Sequence, residues 1–305
     1  MLKNIGIMIK CGGMGKMIVS VNADEDLRLL KEAGADAVLY AVRGMSFSAL
    51  KPIFVSETAG LISGAHEAGL EIHLNVNALF HQDEAEEVKA FLSSAAEKGT
   101  DGFFFSDMSL MRAAAQGGYE DRMIYHPMTL LTNSYDAGWW MGQGLQSAVI
   151  SPVLTSQEIT QMIRKVSGLI VQIHGRSLMS VSARSLLGAY EEAAGCIPLK
   201  EKNGLFLTEE KRDGRMPVYE NERGTMVFTD FIQESFREIL SFEQAGSCRY
   251  LIEGTGMGKE ELRDTLKTYS EILNGADPAA AEMRYRETYS ALPLSEGYYE
   301  QETIK

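Results

Sequence analysis

The sequence predicts an α/β fold, a (β/α)8 TIM-like barrel with a small β insertion after strand 7. Two observations carry that expectation. Short apolar runs alternate with helix-period segments almost from end to end, and there are eight such runs. Helix ends also repeat one device: in "KEAGADAVL", "HEAGLEIHL", "EKGTDGFFF" and "EQAGSCRYL" a glycine follows the helix and an apolar strand follows the glycine. Glycine suits that place because the residue just past a helix usually adopts positive φ. Helix, glycine and strand in repetition are the pattern of βα units on a parallel sheet, and eight strands favour a closed barrel over an open doubly wound sheet.

Taken in order, residues 1–16 lie outside the rhythm and read as an N-terminal extension. The strands fall at 17–21, 37–40, 71–76, 102–105, 123–125, 148–150, 169–173 and 248–252. Among the intervening helices, Val88, Phe91, Leu92 and Ala95 form one apolar stripe, and Ile159, Met162, Ile163 and Val166 form another. Thr155 and Glu158 stand at capping-box spacing, where each satisfies an orphan amide of the first turn. From Tyr190 to Asp230 the rhythm breaks. There "KNGLFLTEEKRDGRMPVYENERGTMVFTD" alternates apolar residues between turn signals at Asp213-Gly214 and Arg223-Gly224, which predicts a hairpin or meander at about 195–230. The barrel runs over 17–290, with 291–305 as a C-terminal tail. No low-complexity linker marks a second independent domain.

Composition narrows the function classes. A hydrophobic content of 45% with 23% charged residues is ordinary for a soluble globular chain of 305 residues. The formal net charge of −13 argues against a broad nucleic-acid-binding face, which works by neutralising phosphates. Cys11, Cys196 and Cys248 are odd in number and far apart, so neither a disulfide framework nor a paired-cysteine zinc site is expected, and a reducing cytoplasm fits best. No apolar run approaches the ~20 residues that span a bilayer. The opening "MLKNIGIMIKCGGMGKM" is too short in its apolar part, and too broken by glycine, for a signal peptide.

A barrel of this kind builds its site at the carboxyl ends of its strands. The third strand leads into Asn75, Asn77 and His81, and the fourth into Ser106 and Asp107. The fifth ends in His126, with Thr129 and Asn133 following. The seventh delivers His174 and Arg176, and the eighth ends in Glu253. One polar residue at a strand end needs no function, because loops are wet; a set of them at one end of a barrel points to a ligand. "CGGMGKM" fails as a phosphate loop, since Met17 stands where Ser or Thr would hold magnesium. "GTGMGK" follows a strand and opens a helix. The amides of Gly254, Gly256 and Gly258 are therefore candidates for a phosphate or another anion, beside the plainer reading of glycines making a turn. Lys259 breaks the dinucleotide fingerprint. No H-E-x-x-H pair and no G-x-S-x-G elbow occurs, and Cys196 is nucleophilic only if a base approaches it. No metal site is expected.

The stretch "QIHGRSLMSVSARSLLGAY" (172–190) resembles the signature region of the U-32 peptidase family, the collagenase-like proteases of bacteria. In that family a strand ends in His-Gly, with one cysteine three residues after the glycine and a second seven residues later in a Gly-Arg-Cys-Leu context. His174 and Gly175 match, as do Arg184 and Leu186, but Leu178 and Ser185 occupy the two cysteine positions. "LKEAGADAVLY", "AHEAGLEIHLNVNALF", "DGFFFSD" and "YLIEGTG" extend the resemblance in the family's order across roughly 17–275.

A closer resemblance is to the family's short members, which share "NALFHQDE", "ARSLLGAY", "GLFLTEEKRDGRMPVYENERGT" and "GYYEQETI" in similar form. These look like companions of a longer, cysteine-containing family protein in prephenate-dependent hydroxylation of the tRNA wobble uridine. Other relatives hold a four-iron–four-sulfur cluster on four cysteines. The resemblance thus implies a chain without that cofactor, because Leu178 cannot ligate iron, Ser185 is a poor substitute, and Cys196 alone falls near the third cysteine position. It implies tRNA contact through the larger partner, and a small carboxylate such as prephenate pairing with Arg176 or Arg184. The other readings are a hydrolase acting on peptides, as the family label says, and a small-anion-binding barrel with no tRNA role.

Overall fold

The computed structural model describes residues 15–195, 199, 204–210, 214–246 and 249–301. Eight parallel strands close into a barrel: β1 (Lys16–Val21), β2 (Ala37–Ala41), β3 (Glu71–Asn75), β4 (Gly102–Phe105), β5 (Met123–Tyr125), β6 (Ser147–Val149), β7 (Leu169–Gly175) and β13 (Arg249–Glu253). Each pairs with the next, and β13 pairs with both β7 and β1 to complete the ring. The expected TIM barrel is therefore what the chain forms. Its eighth strand is described from Arg249 onward, so Cys248, like Cys11, Cys196 and Asp213, lies outside the described residues.

Period-2 alternation sorts the strand residues. Ile18, Leu39, Phe104, Ile124, Val149, Ile170 and Leu251 point inward and plug the barrel. Their neighbours Val19, Val38, Phe103, Ala148, Val171 and Tyr250 point outward beneath the helices. Those helices include α3 (Ala85–Glu97), α4 (Met108–Gly117), α5 (Ser134–Met141), α6 (Ser156–Lys165) and α9 (Lys259–Leu273). The stripe Val88, Phe91, Leu92 and Ala95 is the buried face of α3. Thr155 and Glu158 form the expected capping box on α6. No helix of the described residues is long and apolar enough to cross a membrane.

After β7 the chain builds a second, four-stranded antiparallel sheet in the order β8 (Leu178–Ser182), β11 (Gly224–Phe228), β10 (Met216–Asn221) and β9 (Phe206–Leu207), with α7 (Leu186–Ala194) between β8 and β9. The insertion follows strand 7 as expected, but takes its first strand from 178–182, ahead of the 195–230 interval. It packs over the barrel mouth. Met226 and Phe228 form a small core with Phe47 and Ala78, which lie on the loops after β2 and β3. The β10–β11 turn is pinned to the same loops. Asn221 Nδ2 donates to the carbonyls of Ser46 and Ser48, each at 3.2 Å, and Arg223 pairs with Glu84 at 2.7 Å while lying over the Phe80 ring. The chain then returns through β12 (Ile232–Glu234), antiparallel to β7. Near the C-terminus β14 (Leu294–Ser295) pairs with β12, and buried Tyr299 meets Ser235 Oγ at 2.6 Å.

Candidate ligand site at the barrel mouth

Above the apolar plug the inward positions turn polar. Asn75 from β3, His126 just past β5, Gln172 from β7 and Glu253 from β13 converge with Arg176 on a cavity of about 40 Å³. That is a few times the ~10–15 Å³ a single water needs, so it accommodates one carboxylate-sized group rather than a whole metabolite. Phe47, Met128, Leu178 and Phe228 add apolar surface to the wall, the last two contributed by the inserted sheet. The sheet is thus the roof of the site.

Arg176 is the cation of this wall. Its Nη1 donates to the Thr229 carbonyl at 2.5 Å, and no ion pair joins it to a carboxylate among the described residues. Burial lowers its pKa against the opposing pull of Tyr219, Asp230 and Glu261, yet a guanidinium stays charged at neutral pH. Glu253 moves the other way. Burial raises its pKa, and hydrogen bonds from Thr255 and Ser20 counter only part of that; Oε1 accepts the Thr255 amide at 3.1 Å and hydroxyl at 2.7 Å. Burial drops His126 to about 4, so it is a neutral imidazole at pH 7. Its ring sits edge-on to Phe104 at 5.7 Å, and its enclosed Nδ1 has no hydrogen-bond partner among the described residues. Arg176, three side-chain amides (Asn75, Asn77 and Gln172) and a neutral imidazole share this wall with the Glu253 carboxyl, so a small anion fits on the Arg176 side of the cavity. Ser48 and Thr255 are the hydroxyl-bearing residues of the wall. Thr255 is bonded back to Glu253, so no hydroxyl–imidazole pair of the kind that activates a nucleophile lines the cavity.

Of the residues the sequence singled out, Asn75, Asn77, His126, Arg176 and Glu253 come together here. Asn77 has a structural task as well, its Oδ1 accepting the Phe47 amide at 2.9 Å. His174 does not join them. It is fully buried in the outer layer against Phe236, Tyr269 and Tyr285, with Nδ1 3.2 Å from the Tyr269 hydroxyl. The cause is a register shift. Leu251 pairs with Gln172 and Ile252 with His174, so Ile173 is passed over and the alternation that would aim His174 inward is reset.

His81 is exposed, its amide bound to Glu84, and Asp107 caps α4 by accepting the Ser109 amide at 2.8 Å. Thr129 sits beyond Met128, outside the lining, and Arg184 is exposed on the insertion. The glycine loop does not fit an anion. The Gly254 amide donates to Ser20 Oγ at 2.8 Å and the Gly258 amide to Glu261, while Gly256 takes φ +81° in a turn. Glu260 and Glu261 also place negative charge at that helix start. Sequence reasoning missed Gln172, whose signal was present in the alternation of β7: Ile170 and Gln172 face in, while Leu169 and Val171 face out.

Two positions bear on the resemblance. At Gly175 φ is +111°, and a Cβ there would lie 2.2 Å from the Glu253 carbonyl oxygen, so β7 and β13 approach too closely for any side chain. At the two expected cysteine positions, Leu178 turns an aliphatic side chain to the cavity and Ser185 Oγ donates to Glu220 at 2.6 Å. Neither offers a thiolate, so these residues do not fit a cluster.

The family model for peptidase family U32 matches residues 23–304. The tRNA hydroxylation protein P2 of Bacillus subtilis (strain 168) is 26% identical over 264 residues, covering 85% of each chain. The tRNA hydroxylation protein P of Escherichia coli (strain K12) is 25% identical over 169 residues, covering 54% of this chain and 37% of that longer protein. A solved U32 peptidase, Mk0906, superposes with a TM-score of 0.50 at 15% identity, over 81% of this chain and 95% of that one, a likeness of fold.

Proposed function

The chain belongs to peptidase family U32, and from that premise we propose that it is a cluster-free partner subunit in hydroxylation of the tRNA wobble uridine, holding the carboxylate of a small metabolite such as prephenate at its mouth. The observation that carries this reading is Arg176, a part-buried guanidinium that forms no direct ion pair among the described residues and stands beside a cavity sized for a carboxylate. The two relatives named for tRNA hydroxylation supply the pathway. The formal charge of −13 supports leaving most tRNA contact to a partner, in this reading a larger, cysteine-containing family protein. A peptidase reading, taken from the family's description, lacks an activated nucleophile at this site.

The test is chemical. Deleting the gene should remove hydroxylated wobble uridine from tRNA measured by mass spectrometry. Wild type should restore it, and Arg176→Met should restore at most about a tenth, the scale of a lost charge-assisted bond. Unchanged tRNA after deletion would sink the proposal.

A further inference from the structure

In the segments that follow β3, β4 and β5, five large apolar side chains stand exposed: Leu79, Met108 at the start of α4, Leu130, and Tyr135 and Trp139 on α5. Tyr135 is 89% exposed and Leu130 72%. Hydrogen bonds tie these three segments to one another. The Phe80 amide donates to Asp107 at 3.0 Å, joining the segments that carry Leu79 and Met108. Ser106 Oγ donates to the His126 carbonyl at 2.8 Å, joining the loops after β4 and β5. Tyr135 and Trp139 are four residues apart on α5 and share a face. The stretch "MIYHPMTLLTNSY" (123–135) contains no Asp, Glu, Lys or Arg, in a chain where such residues make up 23%. Five large apolar side chains exposed on neighbouring segments are the kind of surface a partner protein covers.

We infer that this face docks a partner protein whose contact surface has an apolar centre and a rim rich in lysine and arginine. The surrounding charges select that occupant. Asp83, Glu86 and Glu87 are exposed where α3 begins, and Asp136 is part-exposed on α5; against these four carboxylates stand Arg112, four residues beyond Met108, and the part-exposed Lys89 on α3. A nucleic-acid strand would set its phosphates against these carboxylates. A second copy meeting patch to patch about a two-fold axis would set the carboxylates against themselves. A basic protein surface satisfies both the apolar centre and the acidic rim. The inference rests on the tRNA-hydroxylation reading and deepens it: the partner that carries the tRNA has a place to bind.

The experiment puts a photo-crosslinking benzoylphenylalanine at Tyr135 of the full chain in cells, identifies the crosslinked species by mass spectrometry, and titrates that purified protein against the chain. Expected is one protein of basic sequence, bound ~30-fold more weakly by Trp139→Glu, as for a central interface aromatic, and about equally by Phe206→Ser on the inserted sheet. Its affinity should fall as salt rises from ~50 to ~300 mM. Tyr135→Ala serves as the second variant should Trp139→Glu fail to fold. Crosslinking to another copy, to RNA or to nothing overturns the inference, as does a partner indifferent to both substitutions. Deletion that abolishes hydroxylation, together with an indifferent partner, overturns the docking face and leaves the functional reading standing.

Discussion

Burial pushes the imidazole of His174 down to about 3 and those of His73 and His126 down to about 4. An unfolded histidine titrates near ~6.5, so below that pH the denatured chain binds protons that the native chain refuses, and stability falls as pH drops toward the native values. Replacing His174 by Gln removes one such group. The slope of stability against pH between about 6 and 4 should then shrink by about 1.4 kcal/mol per unit, read from urea titrations at several pH values. An unchanged slope would mean that His174 titrates as an exposed histidine does. At this scale the site was half legible. Asn75, Asn77, His126, Arg176 and Glu253 follow from the rule that barrel strands carry their ligand groups at their carboxyl ends. His174 misleads because a register shift is a product of strand pairing, which no local pattern announces.

Elements show the same division. The strands were legible because apolar runs and post-helix glycines are local signals, and the capping box of α6 was legible for the same reason. Strand β8 was not. Its residues are exposed or half-buried, and it becomes a strand only through pairing with β11, distant in sequence. Two predictions belong here. Gly175→Ala forces a side chain onto the Glu253 carbonyl, so it should destabilise the protein by more than ~1 kcal/mol and weaken binding of a small carboxylate, measured by denaturation and by calorimetry. Asn221→Ala strips the hydrogen bonds to Ser46 and Ser48 that hold the roof on the mouth, at a cost of about 1–3 kcal/mol. Limited proteolysis should then cut the inserted sheet faster than in wild type; equal rates would show that the small apolar core of Phe47, Met226 and Phe228 holds the roof by itself.

For the whole molecule, charge and topology are the governing terms. With a formal charge of −13 the lone chain should retain no tRNA in filter binding at ~150 mM salt. Micromolar retention would mean that a local basic patch, not a partner, does the recognition. The fold class was legible because a closed parallel barrel is the sum of its repeated local units. The roof's placement over the mouth was not, since contacts between distant segments decide it.

Closure itself has a consequence for how the protein is made. The Gly254 amide reaches back to Ser20 across 234 positions, and β13 is the strand that completes the pairing of β1. On the ribosome the first strand finds β2 quickly, but its other edge stays bare until almost the entire barrel has been synthesised, roughly ten to fifty seconds later at ordinary elongation rates. For that interval the nascent chain presents an unpaired row of backbone donors and acceptors. Heavy overproduction should therefore expose this edge to association with other chains before the finished barrel can hide it.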